Sequence, residues 1–381
     1  MRNVKSVAIV QRVITHYRLS FYRKLLGLLA EKGIKLTVFA GYARSEEAFK
    51  DALDELECGI RVQNRYFFGN IYWQPLLAKL KDFDLVIVEQ ANSALLNYFL
   101  LLQRKLFGAS PLIAYWGHGA TLHRQKRTPI RENFKRFMTC QVDYWYGYTD
   151  LSRSLVMDAG FPEDRICVVN NSTDTADISA AYEACANTGR TSIRNEIGLN
   201  EDGPVLIYCG RLHEKKALPF IIASCRIARE RLPNLSLIVI GDGPLGVWLR
   251  DAAGKEAWIK PVGPRYGQEK ARYLMAGDMF VLPSYTGLSI LDGFAAGLPV
   301  VIARFNNHGP EIAYLQDGVN GLLTDTTPDA YAEALLRLAE DNALRRRMGE
   351  AARRTAEQYT IEGMATNFVE GVERALEIHL C

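Results

Sequence analysis

The sequence lacks most features of a secreted, membrane-spanning or metal-binding protein. Its seven cysteines form no C-x-x-C pair, so we expect reduced thiols and neither a disulfide framework nor a zinc site. The longest apolar stretch, 94–102, is interrupted by Asn97 and followed by two basic residues, which leaves it too short to cross about 30 Å of hydrocarbon. The apolar run 7–10 is too short for a signal peptide. We therefore predict a cytoplasmic protein without a transmembrane helix.

A strong charge imbalance is also absent. The 381 residues carry a formal net charge of +3, which is too mild to indicate a nucleic-acid partner. Hydrophobic residues make up 48% of the chain, enough for two cores, and the length exceeds that of an ordinary single domain. These properties predict two domains and no nucleic-acid binding.

Four short apolar runs organise the second half of the chain. They are 205–208, 237–240, 279–282 and 299–302. Each run ends in glycine, proline or polar residues, and helical patterns separate them, as in the parallel strands of an α/β unit. Ligands bind open α/β sheets at the carboxyl ends of the strands, so the pattern predicts a binding site there.

Two of the segments that follow these apolar runs are suited to binding a phosphate group. Arg211 and Lys216 follow the first run, and Gly287-Leu288-Ser289 precedes a predicted helix over 290–296. Cationic side chains and the amides of a helix N-terminus both bind anions. The alternative is that the two cations only form a solvated loop. The glycine break, together with Asp292 and Glu311 at the same edge, favours the binding site.

The ordered motifs of this half resemble the donor-binding domain of GT-B glycosyltransferases, specifically retaining family 4. The matching segments are Gly210-Arg211-Leu212 with Lys216, Gly241-Asp242-Gly243-Pro244, Gly297-Leu298-Pro299-Val300, His308-Gly309-Pro310-Glu311 and Asp317-Gly318-Val319-Asn320-Gly321. One departure concerns the family's E-x7-E motif. Asp292 falls at its second glutamate, Ser284 falls at its first, and the loop between them is shorter. The sequence therefore resembles a subgroup with a compact G-L-S loop.

The resemblance implies an α/β fold of GT-B type, with two Rossmann-like domains facing an interdomain cleft. The acceptor-binding domain would cover residues 1–175, completed by a final helix over 362–381 that crosses back to it. The donor-binding domain would cover 190–360. The Ala-, Thr- and Asn-rich segment 175–192 would be the hinge.

The resemblance also implies an activity. A hexose-type sugar would pass, with retention, from a nucleotide diphosphate sugar (UDP- or GDP-linked) to a hydroxyl of an acceptor. That acceptor would be a glycan or lipid-linked precursor of a polysaccharide or lipopolysaccharide. The nucleotide sugar is a co-substrate, and no cofactor is expected. Without a D-x-D cluster at this edge, protein cations would replace a metal ion.

Site residues follow from the motifs. Those predicted to be catalytic are His118, Arg211, Lys216 and Glu311. Those predicted to bind the donor are Gly210, Gly243, Thr286, Gly287, Leu288, Ser289 and Asp292, the last at the ribose. His118 lies in Trp116-Gly117-His118-Gly119 and matches a family histidine that faces the transferred sugar, although a structural histidine is the alternative. His16 and Arg18, in the first loop, would lie on the acceptor side.

The segment 123–136 is basic. It contains Arg124, Lys126, Arg127, Arg131, Lys135 and Arg136 against a single acid, Glu132. A helix starting near Pro129 would carry an apolar stripe of Ile130, Phe134 and Phe137. It either contacts an anionic membrane surface, on the inner face of the plasma membrane, or is a solvated helix that packs the stripe inward.

Two other functions remain open at this point. A GT-B sugar-nucleotide epimerase is disfavoured by the Gly210-Arg211-Leu212 motif with Lys216. An inactive sugar-nucleotide-binding scaffold is supported only by the missing first glutamate. Hydrolysis of the donor would distinguish an enzyme from a scaffold.

Overall fold

The computed structural model describes residues 4–44, 51–108, 111–119, 129–188, 190–196, 198–199 and 203–378. The chain divides into two compact units. The first ends at Asp174 and is completed by residues from Ile361 onward, and the second runs from Thr175 to Thr360.

The first unit is built on a parallel sheet of seven strands with the order β3-β2-β1-β6-β7-β8-β9. Alternate residues of β1 enter different cores: Val7 and Ile9 pack on one face of the sheet, Ala8 and Val10 on the other. Burial on both faces explains the continuous apolar runs. The strands, including the separate β4–β5 hairpin, are β1 Lys5–Gln11, β2 Ile34–Ala40, β3 Gly59–Arg61, β4 Arg65–Phe67, β5 Ile71–Trp73, β6 Leu85–Glu89, β7 Leu112–Gly117, β8 Tyr144–Gly147 and β9 Ile166–Val168.

Helices cover both faces of this sheet. In α1, Leu25 and Leu29 are buried one turn apart, which is the helical spacing that the sequence shows. The helices of the first unit up to residue 174 are α1 Leu19–Glu31, α2 Leu77–Leu80, α3 Leu95–Phe107, α4 Pro129–Thr139 and α5 Asp150–Asp158.

The second unit holds a parallel six-stranded sheet with the order β12-β11-β10-β13-β14-β15. Counted within the unit this is 3-2-1-4-5-6, the doubly wound Rossmann order, whose switch point lies between the first and fourth strands. Its strands are β10 Val205–Cys209, β11 Ser236–Ile240, β12 Ile259–Gly263, β13 Met279–Val281, β14 Val300–Ala303 and β15 Gly321–Thr324. Its helices are α6 Ala176–Thr188, α7 Thr191–Glu196, α8 Leu218–Arg231, α9 Gly246–Lys255, α10 Gly267–Met275, α11 Ser289–Ala295, α12 Pro328–Glu340 and α13 Asn342–Gln358.

The last helix, α14 (Ile361–Glu377), returns to the first unit. It packs on α1 and on β9, and Phe368 and Val372 lie fully buried in the core of that unit. The predicted α/β fold with two Rossmann-like units and a returning C-terminal helix is therefore confirmed. None of the helices in the described ranges combines the length and the hydropathy that crossing a bilayer requires.

The segment that we predicted to be an interdomain hinge is largely helical. Residues 176–188 of this segment form α6, and α7 begins at Thr191; α6 packs against α10 within the second unit. Ile178 is buried there. The few apolar side chains of α6 pack against α10. This packing stabilises a helix where the Ala- and Thr-rich composition suggested an irregular linker.

Candidate active site

The loops after β10 and β11 are joined by backbone hydrogen bonds at the carboxyl edge of the second sheet. Leu212 N donates to Asp242 O at 2.9 Å, and Leu245 N donates to Leu212 O at 3.0 Å. The two motifs therefore form one rigid surface. Tyr208 Oη also donates to Arg211 O at 3.0 Å, which fixes the backbone of Arg211 while its side chain stays exposed.

Glycine is required where these loops meet. An ideal Cβ on Gly241 would lie 1.9 Å from Gly210 O, and one on Gly243 would lie 2.5 Å from Leu212 O. Both contacts are with backbone atoms, so no side chain can move aside. The predicted donor-site glycine Gly243 thus has a packing role that its motif alone does not reveal.

We expect Gly241→Ala to lower the free energy of unfolding by about 3 kcal/mol or more, because overpacking and a positive φ act together. The φ of Gly241 is 145°. Gly254→Ala is the matched control, since nothing lies within 4 Å of its ideal Cβ and alanine is favoured inside a helix. Denaturant unfolding of both variants measures the difference, and equal values would contradict the close approach.

Lys216 lies at the switch point of the sheet, between the loops after β10 and β13. It is only 8% exposed, and its Nζ donates to Tyr285 O at 2.7 Å. Tyr285 has a φ of 49°, a left-handed conformation that is rare for such a residue. Burial lowers the pKa of Lys216 to about 8, and the negative charge of Glu311 acts in the opposite direction.

Glu311 lies in the 3-10 helix Pro310–Tyr314 and is 4% exposed. Its effect on the pKa of Lys216 means that the two charges are close, as the sequence predicted from their positions at one edge. A buried cation and a buried carboxylate stabilise each other's charged form. The structure therefore brings together two of the three catalytic residues predicted at this edge.

His308 orients the loop between β13 and α11, a role the sequence did not indicate. Its Nε2 lies 2.8 Å from Ala303 O, so this nitrogen carries the proton. Its Nδ1 then accepts from Thr286 N at 3.3 Å and from Thr286 Oγ1 at 2.9 Å. Burial lowers the pKa of His308, and the charge of Lys216 lowers it further. A neutral imidazole thus fixes the predicted donor-site residue Thr286.

Ser284, at the position of the family's first glutamate, is buried and engaged. Its Oγ donates to Lys215 O at 2.8 Å, and it also pairs with the side chain of Asn307. The hydroxyl links the loops after β10 and β14, so the residue at this position has a structural role.

Asp292 pairs with a cation that the sequence analysis missed. Lys270 Nζ, from α10, lies 2.8 Å from Asp292 Oδ1, and both side chains are largely buried. Burial raises the pKa of the neighbouring Cys209 thiol to about 12; the negative Asp292 also raises it, while Lys270 and Lys216 lower it. These charges therefore form one cluster. Lys270 precedes Asp292 by 22 positions, a separation with no local pattern to predict the pair.

Helix α11 begins at Ser289, directly after Gly287 and Leu288. The first amides of a helix have no acceptor within it. Among the described residues, Ser289 Oγ is a buried hydroxyl without a hydrogen-bond partner. The predicted Gly287-Leu288-Ser289 turn thus offers donors at the same edge as Lys216.

In the first unit, His118 follows β7 and is exposed. Its ring packs edge-on against Tyr148, with 4.7 Å between centroids. Gln90 holds the loop: its Nε2 donates to Gly119 O at 3.0 Å, and its Oε1 accepts from Gly119 N at 2.9 Å. A Cβ on Gly117 would lie 2.6 Å from Gln90 Cβ. Gln90, which the sequence analysis did not select, therefore positions the histidine through the flanking glycines.

The two predicted acceptor-side residues differ. Arg18 is engaged in the first unit: its Nη2 donates to Asn171 Oδ1 at 2.7 Å, and its guanidinium lies 5.6 Å from the centre of the Trp116 ring. His16 is exposed at the start of a 3-10 helix. Arg18 is thus held by contacts within the first unit, whereas the side chain of His16 is exposed to solvent.

The basic segment is described only in part. Residues 120–128, with Arg124, Lys126 and Arg127, lie outside the described residues, as do the side chains of Ile130 and Arg131. In α4, Phe134 and Phe137 are exposed. Inward packing of the stripe, the alternative given above, is therefore wrong for these two side chains.

The described residues contain no group of three or more His, Cys, Asp or Glu side chains that could hold a metal ion. Metal-independent catalysis stays a prediction.

The chain is similar to known proteins in sequence and in fold. Residues 203–341 match the model of glycosyl transferases group 1. The Anabaena Alr3699/HepE structure in complex with UDP superposes with a TM-score of 0.73 at 17% identity, covering 97% of this chain and 100% of that one. The chain has the GT-B fold. At that identity the likeness shows the fold alone, while the family match applies to the second GT-B unit.

Two curated relatives extend the comparison. D-inositol 3-phosphate glycosyltransferase of Streptomyces griseus is 30% identical over 210 residues, which cover 51% of this chain and 44% of the relative. The lipopolysaccharide core biosynthesis glycosyltransferase LpsE of Rhizobium meliloti is 26% identical over 344 residues, covering 88% and 89%. The chain thus spans less than half the length of the first relative and most of the second.

Proposed function

We propose that this GT-B protein is a retaining glycosyltransferase of the family 4 type, with the compact G-L-S loop. It transfers a hexose-type sugar from a nucleotide diphosphate sugar to a hydroxyl of a lipid-linked or polysaccharide precursor. The observation that carries the proposal is the buried Lys216 beside Glu311 at the Rossmann switch point. Open α/β sheets bind their ligands at this switch point, so a protonated Lys216 held there would pair with an anionic group of the ligand.

The leaving diphosphate would receive its positive charge from the protein. Lys216 is held in place by Tyr285 O, and Arg211 lies on the same loop with its side chain exposed. Fixed donors placed where negative charge develops stabilise the transition state without reorganisation. The amides of 287–289 and Ser289 Oγ would complete the set.

Asp292 would hold the ribose. One of its oxygens already contacts Lys270, and its other oxygen would accept a hydrogen bond from a ribose hydroxyl. An aspartate is one methylene shorter than the family's glutamate, and the Lys270 contact fixes where it points.

In the first unit, His118 is the proposed contact for the transferred sugar, and His16 is the stronger candidate of the two acceptor-side residues.

A uridine donor has the better support. The Anabaena protein is in complex with UDP and with UDP-glucose in its structures, and the Rhizobium relative acts in lipopolysaccharide core biosynthesis.

The test compares UDP, GDP and their sugars. We expect UDP to raise the unfolding temperature, since a ligand at 100 times its Kd stabilises by about 2.7 kcal/mol, and the matching UDP-sugar to be slowly hydrolysed. Stabilisation without hydrolysis or transfer would instead support the inactive scaffold. Formation of an epimeric UDP-sugar would support the epimerase.

Catalysis should also survive an excess of chelator, because Arg211, Lys216 and the donors around Ser289 supply the charge that a divalent ion supplies elsewhere. Donor hydrolysis with and without chelator measures this. Activity that is lost in chelator and restored by Mg²⁺ or Mn²⁺ would contradict the proposed role of these cations.

A further inference from the structure

Lys270 forms a largely buried ion pair with the carboxylate that the proposed function places at the ribose. Its Nζ lies 2.8 Å from Asp292 Oδ1, and the two side chains are 19% and 9% exposed. Removing an ammonium and a carboxylate from water is costly, and apolar residues of the same volume often join two helices equally well. The pair therefore indicates a role beyond holding α10 and α11 together.

The backbone that carries Asp292 is fixed by close packing. Asp292 lies in the first turn of α11, and an ideal Cβ on the next residue, Gly293, would lie 2.8 Å from Cγ of Phe280. Phe280 belongs to β13 and is fully buried. The helix thus packs directly on the strand, and only the two side-chain torsions of Asp292 remain to be set.

Lys270 sets those torsions from α10. Its ammonium holds Oδ1 of Asp292, so the other oxygen, Oδ2, takes a defined direction. Within the described ranges Oδ2 has no hydrogen-bond partner. Each oxygen of an ionised carboxylate accepts hydrogen bonds, so Oδ2 is left to accept from a hydroxyl of a ligand.

The pair belongs to the cluster of charges at the carboxyl edge of the second sheet. Burial has the largest effect on the pKa of Cys209, the last residue of β10; Asp292 raises that pKa further, and Lys270 and Lys216 lower it. Lys270 therefore acts near the same strand end as Lys216, the residue proposed to bind the diphosphate. In a nucleoside diphosphate the ribose is joined directly to the phosphates, so a nucleotide held at Lys216 brings its ribose towards Asp292.

We propose that Lys270 is a positioning residue for the donor. By holding Oδ1 of Asp292, it directs Oδ2 to the 2′- and 3′-hydroxyls of the ribose, and the site thereby selects a nucleotide that carries them. This inference rests on the proposed function, in which Asp292 holds the ribose. Without Lys270 the ligand itself would have to order the carboxylate, which weakens the contact with the hydroxyls and leaves the diphosphate contacts unchanged.

The experiment measures the Kd of UDP and of 2′,3′-dideoxy-UDP by titration calorimetry at pH 7, with the guanosine pair in their place if GDP binds more tightly. The ratio of the two Kd values reports the ribose hydroxyls and is insensitive to a general loss of diphosphate affinity. The variants are Lys270→Met, Lys270→Arg, Asp292→Ala and Lys270→Met/Asp292→Ala. Arg226→Met is the matched control, because it breaks another ion pair of the second unit, Arg226–Glu256 at 2.6 Å.

We expect the wild-type chain to bind UDP at least about tenfold more tightly than the dideoxy nucleotide, since hydrogen bonds to a charged group are strong. Lys270→Met should lower this ratio about threefold or more, and the control should leave it unchanged. In Asp292→Ala the ratio should be about 1, and adding Lys270→Met should not change it, because the two residues act as one unit.

Lys270→Arg tests the role without removing the charge. The variant keeps an ion pair with Asp292 and should stay folded, but the guanidinium fork engages both carboxylate oxygens. It therefore takes Oδ2 from the ribose, and the ratio should fall as in Lys270→Met. Thermal unfolding shows which variants are folded.

Two results overturn this inference alone and leave the proposed transferase standing. One is a wild-type ratio in whichever of Lys270→Met and Lys270→Arg folds, which would make the pair only a structural link between two helices. The other is a ratio of about 1 in the wild-type chain, which would remove Asp292 from the ribose. Failure of the wild-type chain to bind either nucleoside diphosphate overturns the inference and the proposed function together.

Discussion

Replacing Lys216 by alanine is expected to lower kcat/KM for donor hydrolysis and transfer by about 10²–10³, the usual effect of removing one fixed donor to a developing negative charge. The Nζ of Lys216 is held by Tyr285 O at 2.7 Å, so no neighbouring cation can take its position without moving the loop. Arg211→Ala should lower the rate in the same direction. Steady-state kinetics with the donor identified by thermal shift provide the measurement.

Lys215→Ala is the matched control, because Lys215 is the adjacent cation on the same loop but is exposed. It should keep near-normal turnover. Lys216→Ala leaves Glu311 buried beside a small apolar residue, which itself costs stability. The double variant Lys216→Met/Glu311→Gln removes both charges and keeps the volume, so it should fold and remain inactive. Normal turnover in Lys216→Ala, or an equal loss in Lys215→Ala, would contradict the assignment of Lys216 to the diphosphate.

The strands that carry this site could be predicted from the sequence because their residues are buried on both faces. All five residues of β10 and of β11 are buried, and such strands appear as continuous apolar runs that end in glycine. Strand β12 was missed because its sequence, Ile259–Gly263, is mostly half-buried and contains Pro261. It lies at the edge of the sheet, where proline is tolerated.

The side chains that support the site could not be predicted in the same way. Lys270 on α10 and Asp292 on α11 meet only after folding, and neither spacing nor composition encodes that contact. His308 belongs to the recognised Gly-Pro-Glu segment, but its bonds to Ala303 O and Thr286 depend on the loop geometry. The exposure of Phe134 and Phe137 is also a tertiary property, since the periodicity of α4 is equally compatible with a buried stripe.

The affinity for UDP should fall as the pH rises above 8. Burial lowers the pKa of Lys216 to about 8, and a bound diphosphate would raise it again, because negative charge favours the protonated amine. At pH 7 Lys216 is mostly protonated with and without UDP, so the Kd depends little on pH there. Above pH 8, binding must take up a proton, and the Kd should rise by up to about tenfold per pH unit until the pKa of the complex is reached.

Three neighbouring groups, His213, His308 and Cys209, do not titrate between pH 8 and pH 10. Burial lowers the pKa of His213 and of His308, so both imidazoles are already neutral at pH 8. Burial raises the pKa of Cys209 to about 12, so its thiol stays protonated up to pH 10. The terminal phosphate of UDP loses its last proton near pH 6. Titration calorimetry in two buffers with different ionisation enthalpies should therefore detect uptake of nearly one proton per UDP at pH 9. In Lys216→Met the uptake should vanish and the Kd should be weaker but independent of pH. A wild-type Kd that stays constant from pH 7 to pH 10 would mean that Lys216 does not contact the nucleotide, because its charge could not then be linked to binding.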